Sequence, residues 1–386
     1  MRVGIDLSPL FYGLNRTRGI GTYAENLAAA LAATDTTNEY VLLTTRGTHS
    51  YSLPFSLPKN FSTVPLPAPS LGRATPLVSH QIVLPLFLRR LNVDVLHLLQ
   101  APYNPSLPAV PLWQRVPTIV TVFDLMPLRM GKQLLKHERY RRFFDFQLSA
   151  CRRAAHLITA TEYTARELVH FHIAPREKIS VVPLASPPLE ESDELSNDVR
   201  QLIQGAPFFL HVGGDEPQKN QETVLRAFGL CCRNPAFKHQ LVLVGQHHLS
   251  DAPALDVTTR AALRICRLSD VTRAELDALY EQCAALVFPS SYEGFGLPVL
   301  EAMRAAAPVI TSNASCLPEV AGEAALYVEP RDANALANAM RRVLEDERLR
   351  IKLSEAGERR AHEFSWTRTA HLTRAVYERV ARDWRN

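Results

Sequence analysis

Val287-Phe-Pro-Ser-Ser-Tyr-Glu-Gly-Phe-Gly-Leu-Pro-Val-Leu-Glu301 is the stretch on which the reading of this chain turns. The apolar run 284–288 has the length of a buried strand and stops at Pro289. A loop follows, and Pro298 stands where a proline fits the first turn of a helix. Gly294 and Gly296 let the backbone approach a ligand and take angles that other residues resist. The helix N-terminus behind them offers unpaired N–H groups and a positive dipole end, which suits a diphosphate. Glu293 falls in the loop and Glu301 about one turn into the helix. That separation suits one carboxylate near a sugar and another near a ribose hydroxyl pair, each a charged acceptor. Either glutamate alone also reads as a solvated loop acid or an ordinary first-turn acid. The run as a whole points to a site.

Outward from this stretch, short apolar runs alternate with longer amphipathic ones, the pattern of βαβ units and parallel sheets. Strands are expected near 2–6, 40–44, 93–98, 118–122, 156–160 and 179–182, with helices near 21–33 and 132–154. The rhythm restarts with strands near 207–212, 240–244, 263–267, 284–288 and 307–311, and helices near 220–232, 272–282, 297–306, 317–322 and 333–346. Between the halves, Leu184 to Ser196 is rich in proline, serine and acids and reads as a linker. The proline-rich stretch 54–76 reads as a long surface loop. The expected division is an N-terminal domain over 1–183, a linker over 184–200, a C-terminal domain over 201–366 and a last helix over 367–386. Two such domains would face each other across a cleft at the carboxyl ends of their sheets, where α/β folds bind ligands.

The bulk numbers agree with that organisation. At 386 residues the chain fits two α/β domains, and 46% hydrophobic with 21% charged residues is ordinary globular composition. A net charge of +4 is too mild for a nucleic-acid stripe. Met1 to Leu7 reads as a first strand and not a signal peptide, and no run approaches the roughly 18 apolar residues of a span. The six cysteines make no Cys-x-x-Cys or zinc spacing, so they read as reduced and the expected location is cytoplasmic.

Three further pieces carry chemistry. His211-Val-Gly-Gly-Asp-Glu-Pro-Gln-Lys-Asn220 puts Gly213 and Gly214 at a strand end and Lys219 just before a helix. A lysine there reads either as a cation offsetting the charge of a diphosphate leaving group or as a surface lysine. Thr17-Arg-Gly-Ile-Gly-Thr-Tyr23 puts Gly19 and Gly21 before the first helix, a weak signal alone. Thr118-Ile-Val-Thr-Val-Phe-Asp-Leu-Met-Pro127 ends a strand at Asp124, which reads as a catalytic polar group or as the cap of the next turn.

Together these pieces resemble the retaining glycosyltransferases of family 4, which have the GT-B fold of two Rossmann-like domains. The resemblance extends over nearly the whole chain, including Ala307 to Pro330 and Phe364-Ser-Trp-Thr-Arg-Thr-Ala370. It implies catalytic roles for Glu293, Lys219 and Asp124. It implies donor contacts from Gly19, Gly21, Gly213, Gly214, Lys219, Gly294, Phe295, Gly296, Leu297 and Glu301. Relatives have an arginine where this chain has Gly214, and a histidine where it has Phe123, so no histidine base is expected there. The Lys219-Asn220 form without arginine is similar to mannosyltransferase-like members, which implies GDP-mannose as donor. A glycan or lipid-linked acceptor is implied, with no metal, since no Asp-x-Asp appears, and no cofactor beyond the nucleotide-sugar co-substrate. Arg129, Lys132, Lys136, Arg139, Arg141, Arg142, Arg152 and Arg153, interleaved with Phe143, Phe144 and Phe146, read as an anionic-membrane surface or as a packed helix with a solvated face. A catalytically silent homologue is the alternative that Phe123 and Gly214 favour. A nicotinamide oxidoreductase falls behind because the first βα turn lacks the dinucleotide glycine spacing.

Overall fold

The computed structural model describes residues 1–11, 19–45, 53–67, 78–99, 111, 113, 115–131, 138–188, 196–245 and 264–385. The chain forms two compact units, Met1–Leu184 with Ser365–Asn386, and Ala185–Phe364. Among the described residues the first unit holds seven strands: β1 (Arg2–Asp6), β2 (Glu39–Thr45), β3 (Phe61–Leu66), β4 (Val95–Leu99), β5 (Thr118–Thr121), β6 (His156–Thr159) and β7 (Ile179–Val181). They pair in parallel in the order β3-β2-β1-β4-β5-β6-β7. β4, β5 and β6 are buried at every residue, as strands covered by helices on both faces must be. The covering helices include α1 (Gly19–Thr34), α2 (Leu84–Leu91, continuing a π-turn over Ser79–Val83), α3 (Met126–Met130), α4 (Glu138–Arg153) and α5 (Glu162–His170).

The proline-rich stretch is therefore not all loop. Its residues Phe61–Leu66 are β3, with Pro65 in register with Thr44. A proline is tolerated there because β3 is an edge strand and owes no hydrogen bonds on its outer side. Pro54, Pro58 and Pro67 lie outside any strand or helix, and Pro69 and Pro76 lie outside the described residues.

The second unit repeats the plan with α6 (Asn197–Ile203), β8 (Phe208–Val212), α7 (Gln221–Cys232), β9 (Gln240–Val244), β10 (Ile265–Leu268), α8 (Arg273–Gln282), β11 (Ala285–Phe288), α9 (Leu297–Arg304), β12 (Val309–Ser312), α10 (Leu317–Ala321), β13 (Ala325–Val328), α11 (Ala333–Glu345) and α12 (Glu347–Ala361). Its strands are all parallel in the order β10-β9-β8-β11-β12-β13. The sheet grows outward in both directions from the β8–β11 pair, so the loops after these two strands part at a topological switch point. The 184–200 segment is not uniformly a linker. Ser196 caps α6 within it, and the Ser196 amide donates to Glu275 of α8 at 2.9 Å. Ser186 and Pro187 are held through Arg304 of α9. Strand β13 and helix α12 are elements the sequence reading did not contain.

The last helix, α13 (Trp366–Arg385), belongs to the first unit and packs along α1. Tyr377 of α13 meets His97 Nδ1 at 2.7 Å in the core, and Thr369 donates to the Pro183 carbonyl at 2.7 Å.

Candidate active site

At the switch point of the second unit, β8 ends at Val212 and Gly213 turns with φ +149°, its amide returned to the Val244 carbonyl. Across from it Gly245 has φ +141°, and a Cβ there would stand 2.8 Å from the Gly213 carbonyl. Two strand ends are thus pressed backbone to backbone, a contact only glycine permits. The chain then makes a 3-10 turn over Pro217–Lys219, and Asn220 takes the left-handed conformation at φ +50° before α7. Asn220 Nδ2 donates to the carbonyls of Pro289 and Pro330 at 2.8 and 3.2 Å, tying together the loops that follow β8, β11 and β13.

That clamp aims Lys219. Its stem runs across Gly213, and its Nζ donates to Glu293 Oε1 at 2.7 Å while lying 4.9 Å from the centre of the Phe288 ring. Glu293 is fixed from three sides. Ser290 Oγ donates to the same Oε1 at 2.6 Å, the Glu293 amide donates to Ser315 Oγ at 3.0 Å, and its carbonyl accepts from the Cys316 thiol. The lysine and glutamate side chains are 17% and 13% exposed. A cation and a carboxylate therefore stand together at the carboxyl edge of the sheet, reachable by a ligand.

Behind them Gly294, Phe295 and Gly296 lead into α9. Phe295 is buried edge-on against Phe364, and Gly296 caps the helix at φ +91°, where a Cβ would lie 2.7 Å from Leu317 Cδ2 and make that side chain shift. Leu297 heads the helix and Pro298 follows in its first turn, where a missing N–H costs nothing. Glu301 is not a solvated acid. It is 7% exposed, and each oxygen accepts one hydrogen bond from the protein: Oε1 from Arg273 Nη1 at 2.6 Å and Oε2 from the Tyr280 hydroxyl at 2.9 Å.

The first unit carries the remaining predicted residues. The helix expected from 21 begins two residues earlier: α1 starts at Gly19, and Gly21 is buried on it, while Thr17 and Arg18 lie outside the described residues. Asp124 is 8% exposed and accepts from the Met126 amide at 2.9 Å, so its capping role is realised. Phe123 stands edge-on to Tyr23 at 5.2 Å between ring centres.

Two family descriptions match the chain in tandem, "Glycosyltransferase Family 4" over residues 17–185 and "Glycosyl transferases group 1" over residues 193–360. The chain belongs to glycosyltransferase family 4. The O-antigen chain mannosyltransferase B of Escherichia coli is 31% identical over 58% of this chain and 60% of its own length. The serotype-specific mannosyltransferase WbdA of the same organism is 29% identical over 72% of this chain and 35% of its own length, so the match spans about a third of that protein. Among solved structures, a sucrose-phosphate synthase from Thermosynechococcus elongatus aligns over 98% of this chain and 99% of its own at 20% identity and TM-score 0.73. WaaG, a glycosyltransferase involved in lipopolysaccharide biosynthesis, aligns over 98% of this chain and 99% of its own at 16% identity and TM-score 0.68. The fold is GT-B, with two Rossmann-like domains.

Within this family 4 chain the basic segment 129–153 is engaged in part by its own structure. Arg129 pairs with buried Glu167 at 2.6 Å and lies over the Phe171 ring, Arg141 and Arg142 pair with Glu138, and Phe144 is buried in the core. Arg152 and Arg153 remain exposed at the end of α4, while Lys132 and Lys136 lie outside the described residues. Several residues with site-like surroundings were not anticipated: Gly245, Arg273 and Tyr280 in the second unit, and a buried polar chain in the first. There, Asp6 meets His80 at 3.1 Å, and His97 meets both Thr121 and Tyr377 at 2.7 Å. Burial pushes the His97 imidazole down to about 3, so it is neutral and structural. A strand-terminal glycine at 245 was the one visible signal among these.

Proposed function

We propose that this chain is a retaining hexosyltransferase that moves mannose from GDP-mannose to a glycan or lipid-linked acceptor in polysaccharide or glycoconjugate synthesis. The observation that carries this reading is the Lys219–Glu293 pair at the switch point, beside the glycine-lined start of α9. As the glycosidic bond breaks, negative charge grows on the diphosphate, and Lys219 with the α9 N-terminus is placed to offset it. Glu293, fixed by Ser290 and Ser315, would hold a sugar hydroxyl and orient the ring rather than attack it. Phe123 stands in the family's histidine position, so no histidine base is expected from it, and Asp124 accepts from the Met126 amide. The donor's own phosphate oxygen would then take the acceptor's proton on the same face, which retains configuration.

Lys219 and the helix terminus also support a mechanism free of metal, with the nucleotide-sugar as co-substrate and no resident cofactor. The sugar assignment rests on the Lys219-Asn220 form and on relatives named as O-antigen mannosyltransferases. No helix among the described residues is long and apolar enough to cross a membrane. A cytoplasmic protein that touches the inner membrane face through the exposed arginines of α4 fits that reading.

A thermal-shift panel of nucleotide-sugars, run with and without EDTA, tests the donor. At 100-fold over its dissociation constant GDP-mannose should stabilise the fold by about 2.7 kcal/mol, with no effect of EDTA. Stabilisation by another nucleotide-sugar alone would overturn the donor assignment. Binding without turnover would favour a silent homologue. NMR of the product's anomeric proton decides stereochemistry: a β-linked product from an α-linked donor would refute retention.

A further inference from the structure

Arg273, Asp277 and Tyr280 lie at i, i+4 and i+7 on α8, so one face of that helix presents all three to its neighbours. Asp277, 2% exposed, receives Arg273 through two nitrogens: Nε reaches Oδ2 at 3.0 Å and Nη2 binds Oδ1. The guanidinium's remaining fork nitrogen, Nη1, goes to Glu301 Oε1 at 2.6 Å, and the fully buried Tyr280 hydroxyl goes to Glu301 Oε2 at 2.9 Å. The base of the arrangement is itself pinned, because Thr272 and Glu275 form a capping box that fixes the first turn of α8. Burial alone would make Arg273 easier to deprotonate, but the Glu301 and Asp277 carboxylates outweigh it and raise its pKa. Burial first, and then the Glu301 charge, raise the Tyr280 phenol well above its ordinary value, so it stays a donor.

Two carboxylates face one guanidinium in this buried group, and Arg304 of α9 lies close enough to both to add a second cation. As a means of joining α8 to α9 it is costly, since apolar side chains of similar volume would hold two helices at least as well. What it does provide is a carboxylate that cannot rotate. Each Glu301 oxygen has one lone pair engaged by the protein and a second available for a ligand. An ionised carboxylate binds hydroxyl donors more strongly than a neutral acceptor would.

We propose that Arg273 and Tyr280 are positioning residues that pre-set the Glu301 carboxylate for the vicinal hydroxyls of the donor's ribose, so that the ordering cost is met on folding and not on binding. The inference rests on the donor-site reading of Glu301 given above. The test is calorimetry of GDP and 2′,3′-dideoxy-GDP, with UDP and its dideoxy form in parallel, on the full chain and on Tyr280→Phe and Arg273→Lys. In the unaltered protein the missing hydroxyls should weaken binding roughly 10- to 150-fold, as loss of charge-assisted bonds would. Tyr280→Phe should weaken the ribonucleotide roughly 3- to 10-fold and leave the dideoxy form unchanged, shrinking the ratio between them. Arg273→Lys, which keeps the charge but not the fork, should shrink the ratio in the same direction. If either folded variant weakens both nucleotides equally, or leaves the ratio intact, the positioning role is wrong. If the unaltered protein itself shows no preference for the ribose hydroxyls, it is the reading of Glu301 that fails.

Discussion

Replacing Lys219 by methionine separates a structural ion pair from a catalytic one. The substitution keeps most of the stem that packs across Gly213 and removes only the ammonium 2.7 Å from Glu293. Two unit charges about 4 Å apart near a protein surface attract by about 4 kcal/mol. Most of that is offset by desolvating two side chains that are 17% and 13% exposed and by holding them in place. Ser290 remains to satisfy the abandoned carboxylate, so the net loss should be about 1–3 kcal/mol. For a unit of the size of Ala185–Phe364 this amounts to a fall in melting temperature of roughly 3–10 °C. If Lys219 also meets the leaving diphosphate, its removal should lower turnover by about 10²- to 10³-fold, the range for losing one preorganised electrostatic group. The two effects are measured apart. Differential scanning fluorimetry reads the first, and nucleoside diphosphate release at 25 °C, well below the transition, reads the second. A melting temperature that falls as expected with turnover within threefold of the parent would refute the leaving-group role and reduce the pair to a staple.

Gly296→Ala should destabilise the second unit by about 1–3 kcal/mol in urea melts, because φ +91° is strained for any residue with a Cβ and Leu317 must also move. An unchanged midpoint would contradict the strained cap. The Glu275 carboxyl is held down to about 2 by hydrogen bonds from Ser196 and Thr272, below its ordinary 4.5. A depressed acid pKa gives stability that is full above about pH 4.5 and lost as pH falls toward 2, so Glu275→Gln should flatten that acid limb. Parallel acid limbs in the two proteins would remove the linkage. Liposome flotation should favour vesicles with anionic lipid through Arg141, Arg142, Arg152 and Arg153, each worth about 1 kcal/mol near such a surface. Equal failure to float with and without anionic lipid would end the membrane reading.

Much of the fold was legible because strands covered on both faces read as continuous apolar runs. Leu286-Val-Phe288 and Ile119-Val-Thr121 could hardly be anything else. The misses have local causes. Pro65 argued against a strand, yet β3 lies at the sheet edge, where one face of its backbone needs no partner. Strand β13 is four residues long, between Gly322-Glu-Ala324 and a proline, too short for a period to declare itself. Gly19 looked like the end of a loop ahead of the helix expected from 21, because glycine is a poor helix former, and tertiary packing of α1 against α13 overrode that preference.

The site divides along the same line. What the sequence carried was chain chemistry: glycines needing positive φ, a proline placed in a first turn, and a Lys-Asn pair ahead of a helix. Asn220 illustrates how much such a pair can hold. A left-handed residue with a short amide ends the turn after β8, and the same amide reaches two other loops 69 and 110 residues away. Its neighbour Lys219 is thereby aimed at a glutamate 74 residues on. The environment of Glu301 had no such signature, because Arg273 and Tyr280 come from a helix whose own pattern is ordinary, 28 and 21 residues upstream. A helical spacing of four and seven marks a face, but it does not say what the face meets. Only when α8 and α9 are packed side by side does that face become a socket for one carboxylate. An acid one turn into α9 whose oxygens are both bound from behind is then distinguishable from one that is simply solvated.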